Sequence, residues 1–186
     1  IYKQYDTEKM KVSIITATYN SAETINDTLQ SLNGQSYQNI EYIIIDGASK
    51  DNTLESIEQH CSRVTTIISE PDKGIYDALN KGIRAATGDI VGFLHSDDLF
   101  AYPDAVKDIV EKLQSSNSDA LYGDLQYVSK NNTDNVIRLW KSGQYSRGQL
   151  KNGWMPPHPT FYMKRDLYKK HGLFDLSFKI AADYDS

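Results

Sequence analysis

Between residues 12 and 98 the chain alternates four times between a short, β-rich apolar run and a segment with helical spacing, and that alternation constrains the fold more than any other feature. Runs at residues 12–19, 40–45, 64–69 and 90–94 are each one strand long, and those at 40–45 and 90–94 are nearly continuous apolar stretches rather than alternating ones. Continuous runs suit strands buried on both faces, which occur where helices cover both sides of a parallel sheet. Between them, Ile25, Leu29 and Leu32 recur at helical spacing, residues 53–59 form a short second helix, and Ile75, Leu79, Gly82, Ile83 and Ala86 share one face of a third. Strands alternating with helices in so short a span predict an α/β, Rossmann-like, mostly parallel and doubly wound sheet.

The pattern changes after residue 98. A helix is expected over residues 103–114, followed by strand, turn and strand over residues 120–140, a hairpin added to the sheet or laid beside it. Residues 141–159 form a long loop rich in Gly, Gln, Ser and Pro, with Trp154 and Met155 among them, and loops of that length in compact domains are usually functional or disordered. A strand and short helix over residues 160–171 follow. The first ten residues read as a loose arm, and Asn20-Ser21-Ala22-Glu23 as a capping box for the first helix.

Totals narrow the function. The chain has 186 residues, 39% of them hydrophobic and 24% charged, which fits one soluble domain. No apolar run approaches the length of a membrane span and the first residues lack a signal-peptide pattern, so a cytoplasmic location is expected. A net charge of -5 argues against a nucleic-acid binder working through a basic surface. Cys61, the single cysteine, can form no internal disulfide. An acidic protein that handles a phosphate ester needs local help from backbone N–H groups, a few placed cations or a metal.

Acids stand at strand ends: Asp46 after the second run, and Asp97 and Asp98 after the fourth. Ligands of open α/β sheets bind beyond the carboxyl ends of the strands, and two adjacent carboxylates there call for a cation or a shared proton. Each residue also has a plainer reading. Asp97 and Asp98 suit a helix N-cap, Asp46-Gly47 a common turn, Lys73 a solvated turn residue, and Asp183 a cap for a final helix. His158, between Pro157 and Pro159, sits in an unusually stiff setting. The first strand is not followed by Gly-x-Gly-x-x-Gly, which removes the main support for a dinucleotide-binding domain, nor by a Gly- and Lys-rich phosphate loop. As a set, acids at two strand ends, an acidic-basic Gly turn before a helix and a late acid are what metal-assisted transfer from a nucleotide-activated donor requires.

Four blocks carry a resemblance: Ser13-Ile14-Ile15-Thr16-Ala17-Thr18-Tyr19-Asn20; Tyr42-Ile43-Ile44-Ile45-Asp46-Gly47-Ala48-Ser49; Ser69-Glu70-Pro71-Asp72-Lys73-Gly74-Ile75-Tyr76-Asp77; and Gly88-Asp89-Ile90-Val91-Gly92-Phe93-Leu94-His95-Ser96-Asp97-Asp98. Together they resemble the family 2 glycosyltransferases of the GT-A fold, and the likeness resumes at Pro157-His158-Pro159-Thr160-Phe161-Tyr162 and Ala181-Ala182-Asp183-Tyr184-Asp185. The resemblance implies a single GT-A domain over residues 1–186, expected to lack a C-terminal continuation, and a metal-dependent, inverting transfer from a nucleotide sugar, with a UDP-sugar as the expected donor. Surface polysaccharide assembly is the expected setting, with a saccharide or lipid-linked acceptor and peripheral association with the inner face of a membrane. It places Thr18, Tyr19, Asp46, Lys73, Asp77 and Asp97 around the nucleotide, Asp98 with Asp97 on Mn2+ or Mg2+, and Asp183 as the general base. The position of His95 is often Asp or Asn in such proteins. The competing readings are a nucleotide-sugar-binding module without catalysis and a nucleotidyltransferase.

Overall fold

A computed structural model of the chain describes residues 10–177. Its centre is a six-stranded sheet in the order β3-β2-β1-β4-β8-β5, built from β1 (Val12–Thr18), β2 (Ile40–Asp46), β3 (Val64–Ser69), β4 (Ile90–Phe93), β5 (Ala120–Leu121) and β8 (Tyr162–Lys164). β3, β2, β1 and β4 are mutually parallel, whereas β8 runs antiparallel to both of its neighbours. The expected α/β class and mostly parallel sheet are therefore present.

Every residue of β1 is buried, and so is every residue of β2 except Ile40, which is why these runs carry no polar alternation. Successive side chains feed opposite layers. Val12, Ile14, Tyr42 and Ile44 pack with Leu29 and Leu32 of α1 (Ile25–Asn33), Ile57 of α2 (Thr53–His60) and Val106 and Val110 of α4 (Ala105–Ser116). Ile15, Ala17, Ile43 and Ile45 pack with Leu79 and Ile83 of α3 (Ile75–Ala85) and Tyr168 of α5 (Arg165–His171). β3 lies at the edge of the sheet, and it alone among the parallel strands alternates half-buried and exposed residues.

Three expectations are corrected. Asn20-Ser21-Ala22-Glu23 is not a capping box: α1 begins at Ile25 after a turn in which the Thr24 and Ile25 N–H groups donate to the Ser21 carbonyl, and no side chain caps it. The two capping side chains are engaged elsewhere, Asn20 Oδ1 accepting the Lys50 N–H at 2.8 Å and Glu23 meeting Lys130 at 3.1 Å. The continuous strand expected over residues 120–128 is broken at Gly123, whose N–H meets Thr160 Oγ1 at 3.2 Å and whose carbonyl accepts from Ser142 Oγ at 2.5 Å. Beyond the break, β6 (Leu125–Ser129) and β7 (Asn132–Trp140) form their own two-stranded sheet, so the hairpin lies beside the main sheet rather than extending it. The helix expected over residues 103–114 begins and ends two residues later, closed by Asn117 at φ 50.

β8 crosses β4 at Gly92, paired with Tyr162. A Cβ on Gly92 would stand 2.1 Å from the Tyr162 ring, so only glycine admits that ring. Below it, at the N-terminal edge of the sheet, Glu41 is enclosed at 5% exposure. Its carboxylate accepts from Lys11 Nζ (2.8 Å), Ser13 Oγ (2.5 Å), the Thr87 N–H (2.7 Å) and Thr87 Oγ1 (2.6 Å). Burial pushes this carboxyl up, but the bonds from Lys11, Ser13 and Thr87 outweigh it and hold it at about 2.

Candidate active site

The parallel strands deliver four loops to their shared C-terminal edge, and the candidate residues arrive on them. β1 ends at Thr18, whose side chain is buried with its hydroxyl oxygen unbonded. Buried hydroxyls are normally paired, so this one marks a place where a partner is wanted. The next residue, Tyr19, is 59% exposed. Its ring borders Gly47: a Cβ there would lie 3.3 Å from the Tyr19 ring and 2.6 Å from Asp72 Oδ2. Tyr19, Gly47 and Asp72 thus line one narrow slot.

Asp46, at the end of β2, is fully buried. It accepts from the Ser49 N–H (3.0 Å), Ser49 Oγ (2.5 Å) and Ser69 Oγ (2.6 Å), so its carboxylate faces its own chain. Those bonds hold residues 47–49, including Ala48 at φ 61, in the shape that places Gly47 under Tyr19. Asp46 therefore builds the slot from behind.

The segment between β3 and α3 supplies the opposite wall. Gly74, with φ 117, precedes α3 in a conformation that side chains rarely adopt. Asp72 Oδ1 accepts the Gly74 N–H at 2.8 Å, and Asp77 Oδ2 accepts the Lys73 N–H at 3.1 Å. Lys73 itself is exposed. Lys81 Nζ reaches Glu70 at 2.8 Å and Asp77 at 3.8 Å, and these contacts, Glu70 foremost, raise its pKa.

Past β4, the Leu94 N–H donates to the Ile15 carbonyl at 3.0 Å and the Leu94 carbonyl accepts from Thr16 Oγ1 at 2.5 Å, which pins the chain before it turns. The Asp98 N–H then donates to the His95 carbonyl at 3.0 Å, closing a turn that presents Asp97 exposed and Asp98 half-buried. Among the described residues, neither carboxylate takes a hydrogen bond or ion pair from a side chain. Burial, and after it the charge of Asp97, hold the Asp98 carboxyl above its ordinary range, with His95 opposing. The Ser21–Ser96 bond ties this turn to the loop that carries Tyr19. Beside it, His95 stacks on His158 at 5.5 Å and His158 on Phe93 at 5.1 Å, and His95 Nδ1 is buried without a hydrogen-bond partner.

Two adjacent carboxylates with no cation of their own suit one divalent ion completed by substrate oxygens, since Mg2+ is usually held by one or two carboxylates plus phosphates. No group of three or more His, Cys, Asp or Glu side chains able to hold an ion occurs among the described residues. The residues present therefore fit an ion shared with a phosphorylated ligand rather than an all-protein metal cage.

Thr18, Tyr19, Asp46, Lys73, Asp77, Asp97 and Asp98 all reach the same edge of the sheet. Asp183 lies outside the described residues. Sequence reading missed Asp72 as a wall of the slot and the Ser21–Ser96 bond. Asp72 was visible as the acid of an acidic-basic Gly turn, whereas nothing in sequence pairs two serines from distant loops.

Residues 13–178 match the family model for glycosyl transferase family 2. An uncharacterised glycosyltransferase of Mycobacterium tuberculosis is 34% identical over 176 residues, covering 94% of this chain and 66% of that protein. A PGL/p-HBAD biosynthesis glycosyltransferase of Mycobacterium bovis is 28% identical over 177 residues, covering 93% of this chain and 66% of its own length. The chain thus spans about two thirds of the curated relatives it matches, at 66%. Among solved structures, residues 1–349 of Staphylococcus aureus TarS superpose with a TM-score of 0.73 at 23% identity, over 94% of this chain and 51% of that one. The mannosyltransferase PcManGT of Pyrobaculum calidifontis, in complex with GDP-Man and Mn2+, superposes with a TM-score of 0.68 at 26% identity, over 89% and 48%. The fold is GT-A.

Proposed function

Because this chain belongs to glycosyl transferase family 2, we propose that it moves a sugar from a nucleotide-sugar donor to an acceptor hydroxyl with inversion at the anomeric carbon. The observation that carries the proposal is the Asp97-Asp98 turn at the C-terminal edge of the sheet, where two carboxylates lack any side-chain partner and the proton affinity of one is raised. The matched mannosyltransferase, described with GDP-Man and Mn2+, supports a donor of the nucleotide-sugar class and a divalent ion. A UDP-sugar is the donor we propose, with surface polysaccharide or a lipid-linked saccharide as the product's setting.

In this reading Tyr19 lies against the nucleotide base over Gly47, and Asp46 keeps that slot in shape. Thr18 offers its unbonded hydroxyl nearby. Lys73 and the N–H groups opening α3 face the diphosphate, with Asp77 fixing the Lys73 backbone. Asp97 takes the ribose or the water shell of the ion, and Asp98 would hold Mn2+ or Mg2+. When bound, that ion offsets charge accumulating on the departing diphosphate. Asp183 accepts the proton of the acceptor hydroxyl as its oxygen attacks the anomeric carbon from the face opposite the leaving group. No helix among the described residues is long and apolar enough to cross a membrane, and peripheral association with the inner face of a membrane is part of the proposal.

Calorimetry with UDP and Mn2+, followed by turnover with a nucleotide sugar, tests this function. Metal-dependent UDP binding that disappears in Asp98→Ala, and turnover that disappears in Asp183→Asn with binding kept, are the expected results. Equal UDP–Mn2+ binding by Asp98→Ala refutes the metal assignment, and full turnover by Asp183→Asn refutes the base.

A further inference from the structure

Outside the slot and the acidic turn, one group of side chains has no packing duty that explains it. Tyr122, Tyr145 and Trp154 meet at the end of β5: Trp154 stands edge-on to Tyr122 with centroids 5.6 Å apart and an interplanar angle of 66°, and Tyr145 leans on Trp154 at 6.1 Å and 43°. None of the three belongs to either buried core, and Tyr145 is 54% exposed. The corner is nonetheless held in place. Tyr122 donates its hydroxyl to the Gly143 carbonyl at 3.0 Å, fixing the loop that carries Tyr145. The neighbouring Gly123 is bonded to Thr160.

The register of the sheet places it at the same edge as the acidic turn. Leu121 pairs with Tyr162, and Tyr162 pairs with Gly92, so Tyr122 leaves β5 at the level where Phe93 leaves β4. β5 and β4 are parallel to each other with β8 between them, so both point their C-terminal ends at the same edge, two strand spacings or about 10 Å apart. The space between is bridged by His158, which stacks on His95 three residues before Asp98 and belongs to the same turn as Thr160. The corner therefore stands at the same edge of the sheet as the acidic turn, next to His158.

We propose that Tyr122, Tyr145 and Trp154 form a platform for a pyranose ring of the acceptor, which makes that acceptor a saccharide at its reacting end. Pyranoses carry an apolar C–H face and a polar rim, and a rigid aromatic corner open on one side takes up such a face at little conformational cost. A corner placed here selects acceptors by ring shape, while the donor is held separately by Tyr19, Asp97 and Asp98. The proposal rests on the glycosyltransferase reading for its role but not for its chemistry, because sugar binding to the corner is measurable without any donor.

The chain has two tryptophans, Trp140 and Trp154, so Trp140→Phe leaves the corner as the only indole reporter. Its fluorescence is titrated with the methyl glycosides of glucose, galactose, mannose and N-acetylglucosamine to about 100 mM, a range that captures millimolar Kd values, with open-chain sorbitol as the control. The expected result is a saturable change with at least one glycoside and none with sorbitol, weakened at least about ten-fold by Tyr145→Ala, the scale of losing one interface anchor. Tyr145→Ala is exposed enough to fold, which its melting temperature verifies, and it should bind UDP–Mn2+ like the parent. Absence of a saturable change with all four glycosides, or an unweakened Tyr145→Ala, overturns the platform. Glycoside binding in a chain that ignores UDP–Mn2+ sustains the platform and removes the donor reading instead.

Discussion

The two edges of the parallel sheet each carry an acid in or near the core, and the chain treats them in opposite ways. At the N-terminal edge Glu41 is enclosed by a lysine, two hydroxyls and a backbone N–H, and is held at about 2. At the C-terminal edge Asp98 sits beside a second acid with no side-chain partner among the described residues, and its carboxyl is held above the ordinary range by burial. A carboxylate whose counter-charges are built in serves stability. One whose counter-charges are left out is costly to the folded chain and profits only from something that binds. The contrast separates the edge that holds the fold from the edge where we propose the chemistry.

Substitutions should break that contrast in a predictable order. The largest effect is expected from Asp98→Asn, which should lower turnover by about 100-fold or more, the range for losing one electrostatic group at a reacting centre. Its melting temperature should stay level or rise, as thermal scans of the ligand-free protein would show. Glu41→Gln should do the reverse. Losing the charged acceptor of four hydrogen bonds is expected to remove about 2–3 kcal/mol, read by urea denaturation, while UDP–Mn2+ affinity is unchanged.

The pH responses should also diverge. Because the folded pKa of Glu41 lies below its ordinary 4.5, its stabilisation is complete above that value and is lost as pH falls from 4.5 towards about 2. Asp98 has the opposite sign: its penalty is absent below the ordinary carboxylate pKa and grows as pH rises through the raised one. Protons compete with a cation for that carboxylate, so metal-dependent UDP affinity should fall on acidification before urea stability does. Parallel titrations of both properties check the order. The smallest effect is expected from Ser21→Ala, which removes the bond to Ser96 and should raise the donor KM a few-fold, in line with a net hydrogen-bond value of ~1 kcal/mol.

The sequence made the parallel half of the sheet legible because its strands are short β-rich runs, nearly continuous and apolar where both faces are buried as in β2, and β1, β2 and β3 lie within a residue of where those runs place them. The carboxyl-end rule then located Asp46, Asp97 and Asp98 on one edge, and the family resemblance added Tyr19. What periodicity did not carry was anything set by distant partners. Gly123 breaks a strand because Thr160 and Ser142 compete for its backbone, and Asn20 leaves the cap because the Lys50 N–H is in reach. Asp46 reads as a ligand contact in sequence, yet Ser49 and Ser69 occupy its carboxylate, an arrangement that depends on β3 lying beside β2.

The insertion of β8 between β4 and β5 has a bearing on how the molecule is made. β4 waits for Tyr162, about seventy residues later in the chain, before its second edge is paired, and at ~5–20 residues per second that delay during translation is several seconds. Through that interval an apolar strand edge stands open beside Gly92, bare of side chain, and is a template for pairing with another nascent copy. Ribosome-bound chains halted before Tyr162 should therefore be the ones that recruit chaperones or aggregate, and those extended past Lys164 should not.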